Sequence, residues 1–211
     1  MIPHRITTPR TVIRCWQPQD APLALAAIEQ SLPELRPWMG WVGERPLDVD
    51  REAETLLGMR VRFDLGEDHI FGVFSPDESE VIGGTGLHAR VGPRALEIGY
   101  WIRSDCTGRG LAAEVASALT RVAFERAVVD RVEIRCEPTN TRSAAVPRKL
   151  GFTHEATLRR RFQVREELRD VMVWSMFFDE YPESKVAQLP IHAFNAIGRP
   201  MPIAPAAQAL K

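Results

Sequence analysis

Residues 97–112 of this 211-residue chain read EIGYWIRSDCTGRGLA, and they place a carboxylate, two closely spaced glycines and a helix start in consecutive order. Leu96, Ile98, Tyr100 and Ile102 alternate with Glu97, Gly99, Trp101 and Arg103, the period of a strand. A short polar turn with Gly108 and Gly110 follows. Leu111, Val115, Leu119 and Val122 then recur at helical spacing, with no interior Gly or Pro. A strand, a glycine turn and a helix in that order aim unpaired helix-start N–H groups at one point, which suits an anion such as phosphate. A plain tight turn would use the same glycines and remains the competing reading. No G-x-x-x-x-G-K-[ST] occurs, and the glycines miss the G-x-G-x-x-G spacing, so neither a P-loop nor a dinucleotide fingerprint is present. Glu97 is a carboxylate on a central strand, a group rarely buried without purpose, and is the best candidate for a general base; a structural carboxylate is the alternative.

Residues 131–137 (RVEIRCE) alternate like a second strand, with Val132, Ile134 and Cys136 on one face and Pro138 as the stop. Asn140-x-x-Ser143 then leads to Lys149-Leu150-Gly151-Phe152. With Glu97-Ile98-Gly99-Tyr100-Trp101, the Gly108-Arg109-Gly110-Leu111-Ala112 turn with Glu114, and this third motif in the right order, the chain resembles the GNAT superfamily of acyl-CoA-dependent N-acetyltransferases. Within it the likeness is to the branch that acetylates ribosomal-protein N-termini (RimJ/RimL-like). It extends over roughly residues 10–180, with a fainter match in Leu158-Arg159 and Arg169-Asp170.

The resemblance implies that acetyl-CoA is the co-substrate and that no metal is needed. It implies that backbone amides of Thr107, Gly108, Arg109, Gly110, Leu111 and Ala112 hold its pyrophosphate. Small residues let the backbone approach closely there. Thr107 stands where the family most often has Gln or Arg, which removes a donor that Arg109 could replace. Trp101, Ile102 and Arg103 would supply strand-edge amides for the pantetheine arm, or simply continue the sheet. Asn140 looks like the side chain that bonds pantetheine amides, against a plain turn role after Pro138. Ser143 looks like the donor to the departing sulfur, against a helix-start residue bonding local N–H groups. Pro147 lies beyond the first turn of a helix starting near residue 141, and predicts a kink or a late start. Trp38, Met39 and Trp41 could line an acceptor pocket or wedge two helices together. The five histidines are scattered without metal-ligand spacing.

Composition is that of one well-filled globular domain, with 45% apolar and 26% charged residues. Lys plus Arg (27) against Asp plus Glu (28) gives a formal charge of −1, so nothing global calls for nucleic acid or an anionic membrane. Three cysteines without CxxC spacing fit a reducing compartment, and no apolar run approaches 18 residues, so a cytoplasmic location is expected. A homodimer is compatible with such a chain.

Positioning these residues takes strands near 11–16, 70–74, 81–88, 97–103, 131–137, 152–158 and 169–178. Helices are expected from Asp20, from Asp48 to about Leu65 with Leu56, Leu57, Val61 and Leu65 inward, from Gly110, and up to a C′ Gly151. The expected fold is therefore α/β (α+β) of GNAT type, a mixed central sheet of about six to seven strands with helices on both faces. The expected organisation is a loose lead-in over 1–9, one domain over 10–180 and a Pro/Ala-rich tail over 181–211 that is a surface strap or partly disordered. The basic run 159–165 reads as a loop of solvated surface, or as a grip for an acidic partner or a CoA phosphate. Direct acetyl transfer to a protein N-terminal α-amine is the leading functional expectation. Acetylation of a small amine (antibiotic, polyamine or amino acid) and a non-catalytic acyl-CoA sensor are the alternatives.

Overall fold

A computed structural model of the chain describes residues 1–42 and 48–203. The elements run β1 (Arg5–Thr7), β2 (Val12–Cys15), α1 (Ala21–Leu35), α2 (Val49–Leu65), β3 (His69–Phe74), β4 (Val81–His88), β5 (Ala95–Ile102), α3 (Leu111–Val122), β6 (Arg131–Cys136), α4 (Thr141–Leu150), β7 (Thr153–Val164), β8 (Glu167–Phe177), β9 (His192–Phe194) and β10 (Pro200–Met201). The strands form one sheet in the order β10-β9-β1-β2-β3-β4-β5-β6-β8-β7, parallel only between β5 and β6.

Among the described residues the sheet has ten strands rather than six to seven. The additions are β1, β9 and β10, of three, three and two residues. Segments that short show no period, so they are formed by pairing with a neighbour. The lead-in is thus a strand of the sheet, and the tail returns to extend it: β1 pairs with β2 on one edge and β9 on the other. Tyr181 and Val186 anchor the returning segment in the core, fully buried, with the Tyr181 hydroxyl donating to Glu125. Residues 204–211 of the expected tail lie outside the described residues.

Alternation along β5 sorts its side chains onto two faces. Leu96, Ile98, Tyr100 and Ile102 join the larger core with α3, while Trp101 packs with Val12, Trp16, Phe74 and Val81 beneath α1 and Leu56 of α2. Helix α2 forms where expected, with Asp48 accepting from the Arg51 N–H as N-cap and Gly66 in the left-handed region after it. Its inward face is different: Leu56 and Phe63 are buried, whereas Leu57, Val61 and Leu65 are exposed. Leu56 and Phe63 are two turns apart on one face, and the i, i+4, i+8 row of Leu57, Val61 and Leu65 lies roughly 100–180° round the helix from it.

On the face that carries Trp101, β4 is hollowed by glycine. A Cβ at Gly84 would sit 2.5 Å from the Trp101 indole nitrogen, and one at Gly86 2.7 Å from His88 Nε2. Only glycine lets these rings lie flat across the sheet.

Candidate active site

The ladder between β5 and β6 covers Ala95 to Ile98 on one side and Arg131 to Ile134 on the other, and then stops. Beyond it Arg135 and Cys136 pair only with β8, so the sheet opens between the two strands. A cavity of about 440 Å³ occupies this opening. Its walls include Glu97 and Gly99 from one face of β5 and Ile98 and Tyr100 from the other, so it passes through the sheet. Cys136, Glu137, Asn140 and Ser143 line it from the end of β6 and the start of α4. Trp38 and Met39 from the segment after α1, and Arg161, Phe162 and Gln163 from β7, close the remaining side.

The candidate carboxylate, hydroxyl and amide therefore converge, with Trp38 and Met39 beside them. Trp41 does not line this cavity; its ring packs against Trp101 with centroids 6.4 Å apart. Glu97 is 7% exposed, and Arg90 binds it bidentately at 2.6 and 3.0 Å, with Arg135 at 4.0 Å. Each carboxylate oxygen keeps a second lone pair for the cavity.

Asn140 N-caps α4 by accepting from the Ser143 N–H at 3.1 Å, so one lone pair of its carbonyl oxygen is engaged locally, and the other lone pair and its NH₂ remain for a ligand. Helix α4 starts at Thr141 and runs through Pro147 to Leu150, so the expected late start does not occur. Pro147 has no N–H to offer the Ser143 carbonyl four residues back. The Tyr100 hydroxyl donates to that carbonyl instead, at 3.2 Å, and lies 3.4 Å from Ser143 Oγ. Burial pushes the Tyr100 phenol far above its usual value, which keeps it a neutral donor. Tyr100 escaped the sequence reading because its alternation marked it only as core. Arg90, Arg135 and Glu137 escaped because charged residues near strand ends look like solvated surface.

The glycine turn lies outside this cavity. Gly108 and Gly110 have φ of +76° and +78° with no backbone crowding, so the left-handed conformation itself asks for glycine. Among the described residues the N–H groups of Gly108, Arg109, Gly110, Leu111, Ala112 and Ala113 have no partner, and the first helical bond runs from Glu114 N to the Gly110 carbonyl. Thr107 is different: its N–H and hydroxyl both donate to the Ser104 carbonyl, at 3.3 and 2.8 Å. Cations gather at the turn. Arg142 reaches Thr107 Oγ1 at 3.4 Å, and Arg10 Nη2 and Lys149 Nζ lie 3.7 and 4.0 Å from where a Gly110 Cβ would stand. Arg10 also binds Glu114 at 2.6 Å and donates to the Arg109 carbonyl at 2.7 Å, tying the N-terminal strand pair to the turn.

Of Trp101, Ile102 and Arg103, only Ile102 offers an open edge. The Arg103 N–H donates to the Ile82 carbonyl at 2.9 Å. In an antiparallel ladder alternate residues bond the same neighbour, so the Trp101 N–H also turns to β4, and those of Tyr100 and Ile102 face the opening. The Arg103 side chain is held by Asp105 and Glu80 at 2.7 and 3.1 Å, which raises its pKa. Among the described residues no three metal-ligating side chains converge.

A strand-edge opening beside a glycine turn and a helix start can hold an extended ligand along the edge with its phosphates on the amides. Comparison with known proteins identifies the family. A family model described as "Acetyltransferase (GNAT) domain" matches residues 10–153. The YdaF protein of Bacillus subtilis (strain 168) is 29% identical over 177 residues, 82% of this chain and 94% of that protein. The ribosomal protein uS5-alanine N-acetyltransferase of Escherichia coli (strain K12) is 30% identical over 154 residues, 72% of this chain and 79% of the relative. Among solved structures, Mycobacterium smegmatis RimJ in complex with CoA-disulfide shares the fold with a TM-score of 0.74 at 24% identity, over 88% of this chain and 94% of that one. The chain belongs to the GNAT family of N-acetyltransferases.

Proposed function

We propose that this enzyme transfers an acetyl group from acetyl-CoA directly to the α-amine of a protein N-terminus, in the cytoplasm. The observation that carries the reading is the cavity through the β5–β6 opening, with Glu97 on one face of the sheet and Ser143 on the other. The six free amides from Gly108 to Ala113 and the cations Arg10, Arg142 and Lys149 fit a diphosphate, and the open Tyr100 and Ile102 amides fit an extended amide arm. Acetyl-CoA supplies an activated acyl group on a thiol leaving group.

Glu97 takes the amine proton, directly or through one water, as the nitrogen bonds the carbonyl carbon. Ser143 Oγ donates to the sulfur as the carbon–sulfur bond breaks, and Tyr100 holds Ser143 in place by its carbonyl. An α-amine has a pKa of about 7.7–8.0, so near neutrality a usable fraction is already unprotonated and one carboxylate is sufficient help; a lysine amine near 10.4 would need far more. The acceptor reading also draws on the uS5-alanine N-acetyltransferase relative.

Thiol release from acetyl-CoA, followed with N-terminal peptides and with a panel of amino acids, polyamines and aminoglycosides, tests the proposal. Acetylation of peptide α-amines at least tenfold faster than of any small amine is expected. Preference for a small amine overturns the acceptor, and CoA binding with no turnover of any amine overturns the enzymatic reading.

A further inference from the structure

The basic run 159–165 is the one sequence feature that the mechanism leaves unused. It is part of a strand, not a loop: β7 extends to Val164. Its pairing with β8 is irregular. Leu158 lies opposite Val171 and Phe162 opposite Arg169, so residues 159–161 together face Asp170 alone. Arg160 adopts a left-handed φ of +54°, and its N–H donates to Asp170 Oδ1 at 3.0 Å. For a residue other than glycine that conformation is disfavoured. Regular pairing resumes at Phe162–Arg169 and Gln163–Leu168, so the bulge is confined to residues 159–161, and Arg161, at its end, lines the cavity with Phe162 and Gln163. Bulges of this kind occur next to active sites, where they set the direction of a side chain.

The charges around the cavity are then unequal. Arg90 is engaged by Glu97, and Arg135 by Glu133 at 2.8 Å. Glu137 is engaged by Arg169 at 3.0 Å. Arg161 has no carboxylate partner among the described residues, and neither has Arg159 beside it. The phosphate turn has its own cations in Arg10, Arg142 and Lys149, and it lies outside the cavity that Arg161 lines.

Building on the acetyl-transfer reading above, we infer that the acceptor carries a carboxylate within a few residues of its α-amine, an acidic N-terminal segment, and that Arg161 on the β7 bulge selects it. The pair forms at the mouth of the cavity, where Arg161 is solvent-exposed, so it is modest in strength and weakened by salt.

Tetrapeptides starting with Ala and carrying Asp, Asn or Lys at positions 2–4 test this on the full chain. The Asp series should exceed the Asn series about three- to tenfold in kcat/KM, mainly through KM, with the ratio shrinking as salt is raised. Arg161→Gln should bring that ratio to within twofold, and Arg161→Glu should turn the preference towards Lys. Arg199→Gln, in the distant β9–β10 turn, should leave the ratio as it is. Equal rates for Asp and Asn in the native protein overturn the inference alone, as does a ratio that survives both Arg161 variants. So does an Arg161→Gln variant that binds CoA more weakly by calorimetry without a change in the ratio. Acetylation of none of the peptides overturns the N-terminal-amine reading beneath it, and the inference with it.

Discussion

The glycine turn and the cavity adjoin one another but are built by opposite means. The turn is almost wholly backbone: two left-handed glycines and a helix start leave six amides free within residues 108–113. The cavity is almost wholly side chain, and distant segments supply it. Arg169 binds Glu137, 32 residues away in sequence, and the Pro37 carbonyl, 132 away, at 2.6 Å. Arg165 reaches the Val42 carbonyl at 3.4 Å. The β7–β8 hairpin thereby holds the segment bearing Trp38 and Met39 against the end of β6. A ligand common to many enzymes is met by main chain, which sequence drift hardly alters. The partner that differs from enzyme to enzyme is met by replaceable side chains.

If the two regions are separable, changes in each should register in different constants. The largest effect is expected from Glu97→Gln, a fall of about 10²–10⁴ in kcat with CoA affinity unchanged. Weakened CoA binding with an unaltered pH–rate profile would merge the two regions and remove Glu97 from proton transfer. Gly110→Ala forces a side chain into φ +78°, a strain of about 1–2 kcal/mol. It should loosen CoA roughly tenfold by calorimetry while the acceptor KM holds; a change confined to acceptor KM would contradict the amide cradle.

Tyr100→Phe sits on the boundary, because Tyr100 faces the cavity while supporting the helix that carries Ser143. Leaving the Ser143 carbonyl without its donor should lower unfolding stability by about 1 kcal/mol in urea and slow turnover. Pro147→Ala restores an N–H four residues on from that carbonyl, so the Tyr100→Phe loss should shrink in that background. A strictly additive double-mutant cycle would show that the hydroxyl is not replacing the missing helical bond. The smallest effect is expected at Asp68, between α2 and β3 and outside the lining of the cavity. Burial alone would raise its pKa, but the hydrogen bond to His88 at 2.7 Å and that ring's charge win and lower it. A carboxyl lowered on folding stabilises above its unfolded value of about 3.9, and the contribution is lost as pH falls through the folded value. Asp68→Asn should flatten that acid limb and alter neutral stability by less than about 1 kcal/mol in acid-titrated thermal melts. An acid limb left unchanged would remove Asp68 from the linkage.

Much of the fold was legible because β5, β6 and α3 each carry a clear period, and each forms near its expected bounds. The errors share one cause. Strands β1, β9 and β10 are too short to show a period, and the exposed Leu57, Val61 and Leu65 are apolar at a helical spacing that fits either face. At the site, the family resemblance pointed to Asn140 and Ser143, and both line the cavity, whereas Thr107, Trp101 and Arg103 were assigned amides that local geometry or β4 engages. The role of Tyr100 follows from a proline 47 positions later and could not be read from its own neighbourhood.

By itself the sequence determined the turn, because its hydrogen bonds join residues a few positions apart and glycine's freedom of φ is a property of single residues. It likewise determined which of the longer strands alternate and where α3 begins. The tertiary structure alone decided which arginine meets which carboxylate, that the β7 bulge sets Arg161 at the cavity, and what replaces the N–H that Pro147 lacks. Those contacts bring together segments far apart in the chain, and their geometry exists only once the sheet has opened between β5 and β6.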